Sequence, residues 1–224
     1  ENRGLVNLTT DLLAVDGTFF SVAPRVTWAL FNKPNGTPRQ PRKQRQRGGV
    51  RADVHFDILR GVPESATLCD GRTAEQTVLA ENIEPGKFYL LDRAFQRYPL
   101  LADIVESGSD FLVRARCDVK FDAVDRRSLS AEDCEARVIC DQEIRLVGES
   151  GQRSLGESVL RYVECAAQDP DEEPIRLLTN RLDLTAETLV TLYGYRWQIE
   201  IFFRWLKCLA GFQKFLSESE EGMT

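Results

Sequence analysis

Histidine is almost absent from this chain of 224 residues: His55 stands alone. The six cysteines (Cys69, Cys117, Cys134, Cys140, Cys165 and Cys208) include no Cys-x-x-Cys pair, so there is little from which to build a structural zinc site. Scattered single thiols suit a reducing cytosol, where they serve as small apolar residues. His55 itself reads as a structural or surface histidine rather than a catalytic base. No apolar run approaches the ~18–20 residues that would span a membrane. Glu1-Asn-Arg-Gly-Leu5 shows no signal-peptide pattern and no initiator Met, so the chain reads as a fragment of something longer. No internal repeat is present. What remains, 42% hydrophobic and 29% charged, fits a soluble globular protein of one large domain, or one domain with an insertion.

Acidic residues are missing from one stretch of an otherwise acidic chain. Between Lys33 and Arg51 stand Lys33, Arg39, Arg42, Lys43, Arg45, Arg47 and Arg51, with no Asp or Glu. Taking these seven from 29 basic residues leaves 22 against 35 acidic ones, a remainder of −13 under a net charge of −6. A basic segment on an acidic body is a footprint for a polyanion. A solvated loop rich in Pro, Gly and Gln has the same composition.

Strand patterns cover Leu12 to Phe20, Val26 to Phe31 and Val50 to Leu59. A short helix follows over Thr73 to Glu81, with Thr73 as N-cap. Lys87-Phe-Tyr-Leu-Leu-Asp92 is an apolar strand ending in an acid, followed by a helix over Phe95 to Ser107 with Gly108 at its end. Phe111 to Arg116 resumes strand character. Residues 117–174 read as short antiparallel strands, Ile175 to Thr179 as a buried strand, and Thr185 as the cap of a long C-terminal helix. A mixed sheet flanked by helices, with a β-rich insertion at 117–174, is the economical solution.

Proline is absent from Tyr193 to Lys207, the most informative stretch. On an unbroken helix Tyr193, Arg196, Glu200 and Lys207 share a stripe roughly 60° wide, beside an apolar arc of Ile199, Phe202, Phe203 and Leu206. An amphipathic helix with a mixed-charge face would look the same. Two further acids, Asp16 and Asp92, lie in or at the end of apolar strands, where a carboxylate is costly unless paired or bound to a cation. Should those strands be neighbours, Asp16 and Asp92 converge at one sheet edge and Glu200 can join them. Three oxygen ligands suit Mg²⁺ or Mn²⁺, and two such ions support phosphodiester transfer. Asp16-Gly17 could equally form a hairpin turn, and Asp92 could pair with Arg93. Trp197 and Trp205 read as packing residues rather than base-stacking platforms.

Val15-Asp16-Gly-Thr, Leu91-Asp92-Arg-Ala-Phe and the Tyr193/Arg196/Glu200/Lys207 set, at spacings of three, four and seven, resemble the DDE transposases of bacterial insertion sequences. The likeness is to the subgroup with a Tyr-Arg-Glu-Lys signature, and it runs from about Leu12 to the C-terminus. It implies an RNase H-like core with the β-rich insertion in the 107 residues between Asp92 and Glu200. It further implies that Asp16, Asp92 and Glu200 hold the catalytic metal ions, Mg²⁺ or Mn²⁺, and that Tyr193, Arg196 and Lys207 contact DNA phosphates. Arg204 on the same helix, and Arg42, Lys43, Arg45 and Arg47 in the basic stretch, are added as backbone contacts. The implied activity is DNA cleavage and strand transfer on double-stranded transposon ends and target. The implied full-length protein is a homodimer in a bacterial cytoplasm, acting at the nucleoid. The family's N-terminal end-binding and C-terminal dimerisation regions are expected to lie outside this chain. Ala94 stands where the family commonly has Gly, and is compatible unless that position needs a positive φ. An RNase H-like nuclease without strand transfer, and an inactive remnant that only binds DNA, are the rival expectations.

Overall fold

A computed structural model describes residues 11–22, 30–31, 47–156, 158–169, 171–209 and 211. Its spine is one sheet of ten strands: β1 (Asp11–Val22), β2 (Leu30–Phe31), β3 (Arg47–Asp57), β4 (Val62–Asp70), β5 (Lys87–Leu91), β6 (Asp110–Arg114), β7 (Phe121–Arg126), β8 (Val138–Leu146), β9 (Leu160–Cys165) and β10 (Ile175–Thr179). They run in the order β2-β3-β1-β5-β6-β10-β9-β8-β7, and β4 also pairs with β3. β1, β5 and β6 are parallel, while the pairings flanking them are antiparallel. Six helices complete the described fold: α1 (Glu75–Glu81), α2 (Tyr98–Glu106), α3 (Ala131–Glu135), α4 (Glu149–Leu155), α5 (Ala186–Tyr195) and α6 (Trp197–Cys208).

The central strands are apolar without alternation because both faces are covered. Leu13, Val15, Tyr89, Leu91, Phe111 and Val113 face one core with Leu79 of α1 and Leu101 and Ile104 of α2. Leu12, Ala14, Phe88, Leu90 and Leu112 face the other, against Leu189 and Leu192 of α5 and Ile199 and Phe203 of α6. Side chains alternate across a strand, so this parity decides which face each later residue can reach. The segment between β6 and β10 is continuous with the spine, since β9 pairs with β10 and β8 with β9.

Several sequence expectations are corrected. The hairpin turn at Asp16-Gly17 does not form: both lie within β1, opposite Val54 and Asp53 of β3. β4 is an unexpected strand, its exposed Val62-Pro-Glu-Ser-Ala lacking an apolar signal. Thr73 does not cap α1. The N-cap is Ala74, without a side-chain bond, while Thr73 donates to Asp70 and its carbonyl accepts from Arg51. The long C-terminal helix is two, meeting at Arg196. There Arg196 N–H reaches the Tyr193 carbonyl (3.1 Å) and Ile199 N–H the Arg196 carbonyl (3.3 Å), three residues apart instead of four. The expected Val26–Phe31 strand lies mostly outside the described residues.

Candidate active site

Parity and register assemble the site before any side chain is placed. Asp16 shares the face of Leu12 and Ala14, the face covered by α5 and α6. The β1–β5 register pairs Ala14 with Leu90, so Asp16 stands beside Asp92 two steps further on. The β5–β6 register pairs Leu91 with Val113, which puts Arg114 next to Asp92. Asp16, Asp92 and Arg114 therefore form a row where β5 and β6 end while β1 runs on to Val22, the kind of carboxyl-end position at which open α/β sheets bind their ligands.

Each acid is fixed locally. Asp16 Oδ1 accepts from the Gly17 N–H at 2.8 Å. Asp92 caps the single 3₁₀ turn Arg93–Phe95, its Oδ1 accepting from Ala94 N–H at 2.7 Å. Gln76 of α1 donates to the Ala94 carbonyl at 2.7 Å, and buried Phe95 anchors the turn beneath. Ala94 is not among the positive-φ residues, so the substitution of alanine for glycine there brings no backbone strain.

The α5–α6 joint delivers the remaining groups. Arg196 Nη2 donates to Glu200 Oε1 at 2.6 Å, and its guanidinium lies over the Tyr193 ring at 5.8 Å. Its Nε is buried without a partner. Burial works against the Arg196 charge, but Tyr193 and Glu200 outweigh it and raise its pKa. Burial also raises the Tyr193 hydroxyl, with Arg196 and Arg114 opposing and Asp92 adding to the rise.

Asp16 carries the strongest signature. Burial pushes its pKa up to about 6, against the Gly17 N–H and Arg196, while the charges of Asp92 and Glu200 push in the same direction as burial. A surplus of carboxylate charge at a half-buried edge, all of it hard oxygen, fits Mg²⁺ or Mn²⁺ in kind. The fit in distance is incomplete: among the described residues no three acid, His or Cys side chains are close enough to hold one ion. Glu200 is engaged by Arg196 instead.

Other candidates are less central. Lys207 lies over the Phe20 ring at 5.5 Å, and Phe20 is four residues along β1 from Asp16, roughly 13 Å at ~3.3 Å per residue. Arg204 is exposed on α6. Arg42, Lys43 and Arg45 lie outside the described residues, as does the Arg47 side chain. Arg51, counted with the basic stretch in sequence, is instead 4% exposed and bonded through Nε to Asp53 at 2.9 Å. His55 is buried edge-on to Tyr89, and burial lowers its pKa. Trp197 and Trp205 are each half exposed, Trp205 stacked on Phe202 at 6.2 Å. Sequence reasoning missed Arg114. Arg114 closes an apolar strand as Asp92 does, a signal that was available.

Comparison with known proteins gives concordant matches. The family described as Transposase DDE domain matches residues 7–224. Over 224 residues the chain is 24% identical to y4zB of Sinorhizobium fredii (strain NBRC 101917 / NGR234), a protein named as a transposase. That match takes in all of this chain and 57% of the relative. Over 216 residues it is 25% identical to a protein of Geobacillus stearothermophilus named as a transposase for insertion sequence element IS5377, covering 92% of this chain and 50% of the relative. The chain thus spans about half the length of these curated relatives. Among solved structures it resembles the piggyBac transposase in a synaptic complex with hairpin DNA. The TM-score is 0.50 at 11% identity, over 91% of this chain and 41% of the other. That likeness is one of fold, a mixed RNase H-like sheet flanked by helices.

Proposed function

This chain belongs to the transposase DDE domain family, and from that premise we propose that it cuts DNA strands and transfers the resulting 3′ ends to a new site. The observation that carries the proposal is the β1–β5 register, Ala14 beside Leu90, which brings Asp16 and Asp92 to one face of the sheet edge, with the Arg196–Glu200 pair on the same face. Asp16, Asp92 and Glu200 are the residues that would hold divalent cations, Mg²⁺ or Mn²⁺, two in number. Such ions activate a water or 3′-hydroxyl nucleophile and stabilise the leaving oxygen.

The chain's own groups prepare that chemistry. Asp92 is held in orientation by the Ala94 N–H, and the Gln76 bond makes its turn rigid. Arg196 has a fork able to grip a phosphate, and its contact with Glu200 keeps the acid in place until the substrate competes for the guanidinium. Arg114 adds a second guanidinium beside Asp92, and Tyr193 offers a hydroxyl. Lys207 and Arg204, with Arg42, Lys43, Arg45 and Arg47, would extend the contact along the DNA backbone. Double-stranded DNA as the partner is supported by the DNA complex of piggyBac. We read 117–174 as an insertion into the core. A homodimer and a cytoplasmic setting belong to the whole protein of which such a domain is the catalytic part.

The test is cleavage of transposon-end DNA with Mg²⁺ or Mn²⁺. Asp92→Ala and Glu200→Ala should each abolish nicking by at least about a hundredfold, the scale expected when ions lose a ligand. Activity that survives both substitutions would overturn the proposal. Addition of target DNA to pre-cut 3′-OH ends separates strand transfer from simple hydrolysis.

A further inference from the structure

Arginines that this fold covers, fully or in part, are paired with carboxylates: Arg51 with Asp53, Arg127 with Glu143, Arg161 with Asp141, Arg176 with Glu164, Arg181 with Asp110 and Arg196 with Glu200. Arg114 is the exception among the described residues. It is half-buried, its Nε is enclosed without a hydrogen-bond partner, and it forms no ion pair with a described acid. A covered cation without a counter-charge is costly. An acid is at hand, since the β5–β6 register places Asp92 beside Arg114. Asp92 instead gives its Oδ1 to the Ala94 N–H.

The backbone that carries Arg114 is fixed. Leu177 of β10 pairs with it, the Ala115 N–H donates to the Arg176 carbonyl at 2.7 Å, and the Arg116 N–H donates to Gln96 Oε1 at 2.6 Å. The sheet thus holds the residue at the end of β6 while its guanidinium stays without a carboxylate. By parity with Leu112, Arg114 shares the face of Asp16 and Asp92, the face against which Tyr193 packs. Burial raises the pKa of the Tyr193 hydroxyl, and Arg196 and Arg114 both oppose that rise, so Tyr193 sits in the field of both cations. Lys207, by contrast, lies over the Phe20 ring, four residues along β1 from Asp16.

We infer that Arg114, rather than Lys207, is the second cation that grips the DNA phosphate held at Asp16 and Asp92, with Arg196 as the first. The inference rests on the reading of this edge as a site that cuts phosphodiesters, and names the groups that meet the substrate there. Two oxygens of a phosphate match the planar fork of an arginine, which the ammonium of a lysine does not reproduce. A bound phosphate also supplies the counter-charge that Arg114 lacks in the free protein. That is why the fold leaves this one covered arginine unpaired.

The experiment compares two transposon-end duplexes, one unmodified and one carrying a neutral methylphosphonate at the position where wild type cuts. Binding of the full chain to each is measured with Ca²⁺ in place of Mg²⁺, for wild type, Arg114→Ala, Arg114→Gln and Lys207→Ala. Neutralising that phosphate should weaken wild-type binding about tenfold or more. The penalty should shrink about fivefold or more in both Arg114 variants. Lys207→Ala should weaken both duplexes alike and keep the wild-type penalty. A full penalty in the Arg114 variants overturns the inference and leaves the cutting reading intact, as does a penalty lost in Lys207→Ala alone. Absence of any cutting by wild type in Mg²⁺ or Mn²⁺ overturns the reading itself, and the inference with it. Should Arg114→Ala fail to fold, as judged by circular dichroism, Arg114→Gln decides by the same comparison, since it keeps a polar stem without the charge.

Discussion

Asp16 is ionised at neutral pH against the preference of its surroundings. Its folded pKa of about 6 lies above its ordinary 3.8, with burial the main cause and the Asp92 and Glu200 charges secondary. A raised carboxyl favours the folded state fully below pH 3.8, and that contribution is lost as pH rises through about 6. Without divalent cations the melting temperature should therefore fall between pH 4 and pH 7 by more in wild type than in Asp16→Asn. Differential scanning fluorimetry across that range checks it. Mg²⁺ should raise the wild-type melting temperature at pH 7.5 and leave Asp16→Asn unmoved. Asp16 and Asp92 were legible in sequence because an acid within an apolar strand needs an explanation.

At the scale of elements, the joint between α5 and α6 governs the site. The spacing of three, four and seven is compatible with one helix, and the absence of proline gave no sign of a break. The signature residues thus sit on two axes, with Arg196 at the corner. Replacing Arg196 by Ala should release Glu200, lower cleavage by about 10²-fold, and reduce the salt dependence of DNA binding by about one phosphate contact. Arg196→Lys should keep most of the salt slope but little of the cleavage, since a point charge cannot reproduce the fork. Binding titrations at several salt concentrations distinguish the two. The basic stretch illustrates the opposite limit of sequence reasoning. Charge counting groups Arg51 with its basic neighbours, yet the β3 pairing buries it against Asp53.

Over the whole molecule, the continuous sheet makes 117–174 part of the structure that supports the site. Arg161 of β9 grips Asp141 of β8 with two bonds of 2.8 and 2.7 Å, their side chains 2% and 3% exposed. It also donates to the Leu184 carbonyl, just ahead of α5. Arg161→Ala leaves Asp141 buried and unpaired, and should cost about 3–5 kcal/mol in urea denaturation. Removing 117–174 altogether strips β9 from β10 and uncovers Leu177 and Leu178. The shortened chain should lose cooperative unfolding by circular dichroism rather than behave as a trimmed domain. The mixed sheet was legible from the order of apolar segments. Its continuity through β7–β10 was not, because register is set between strands and not within them.

The start of α5 is tethered three times. Thr185 caps it, Asp133 Oδ1 accepts from the Glu187 N–H at 2.8 Å, and Arg161 holds the Leu184 carbonyl ahead of it. Asp133 also closes the capping box of α3, so one carboxylate serves two helices. A rod clamped at its butt cannot swing as a whole. Any travel of Glu200 toward the aspartates must be taken up at the Arg196 corner, which makes that corner a pivot and α6 the moving arm of a lever. If the chain acts on DNA as proposed, a phosphate that draws the guanidinium away from Glu200 also turns the arm, and substrate loading and completion of the acid set become one movement.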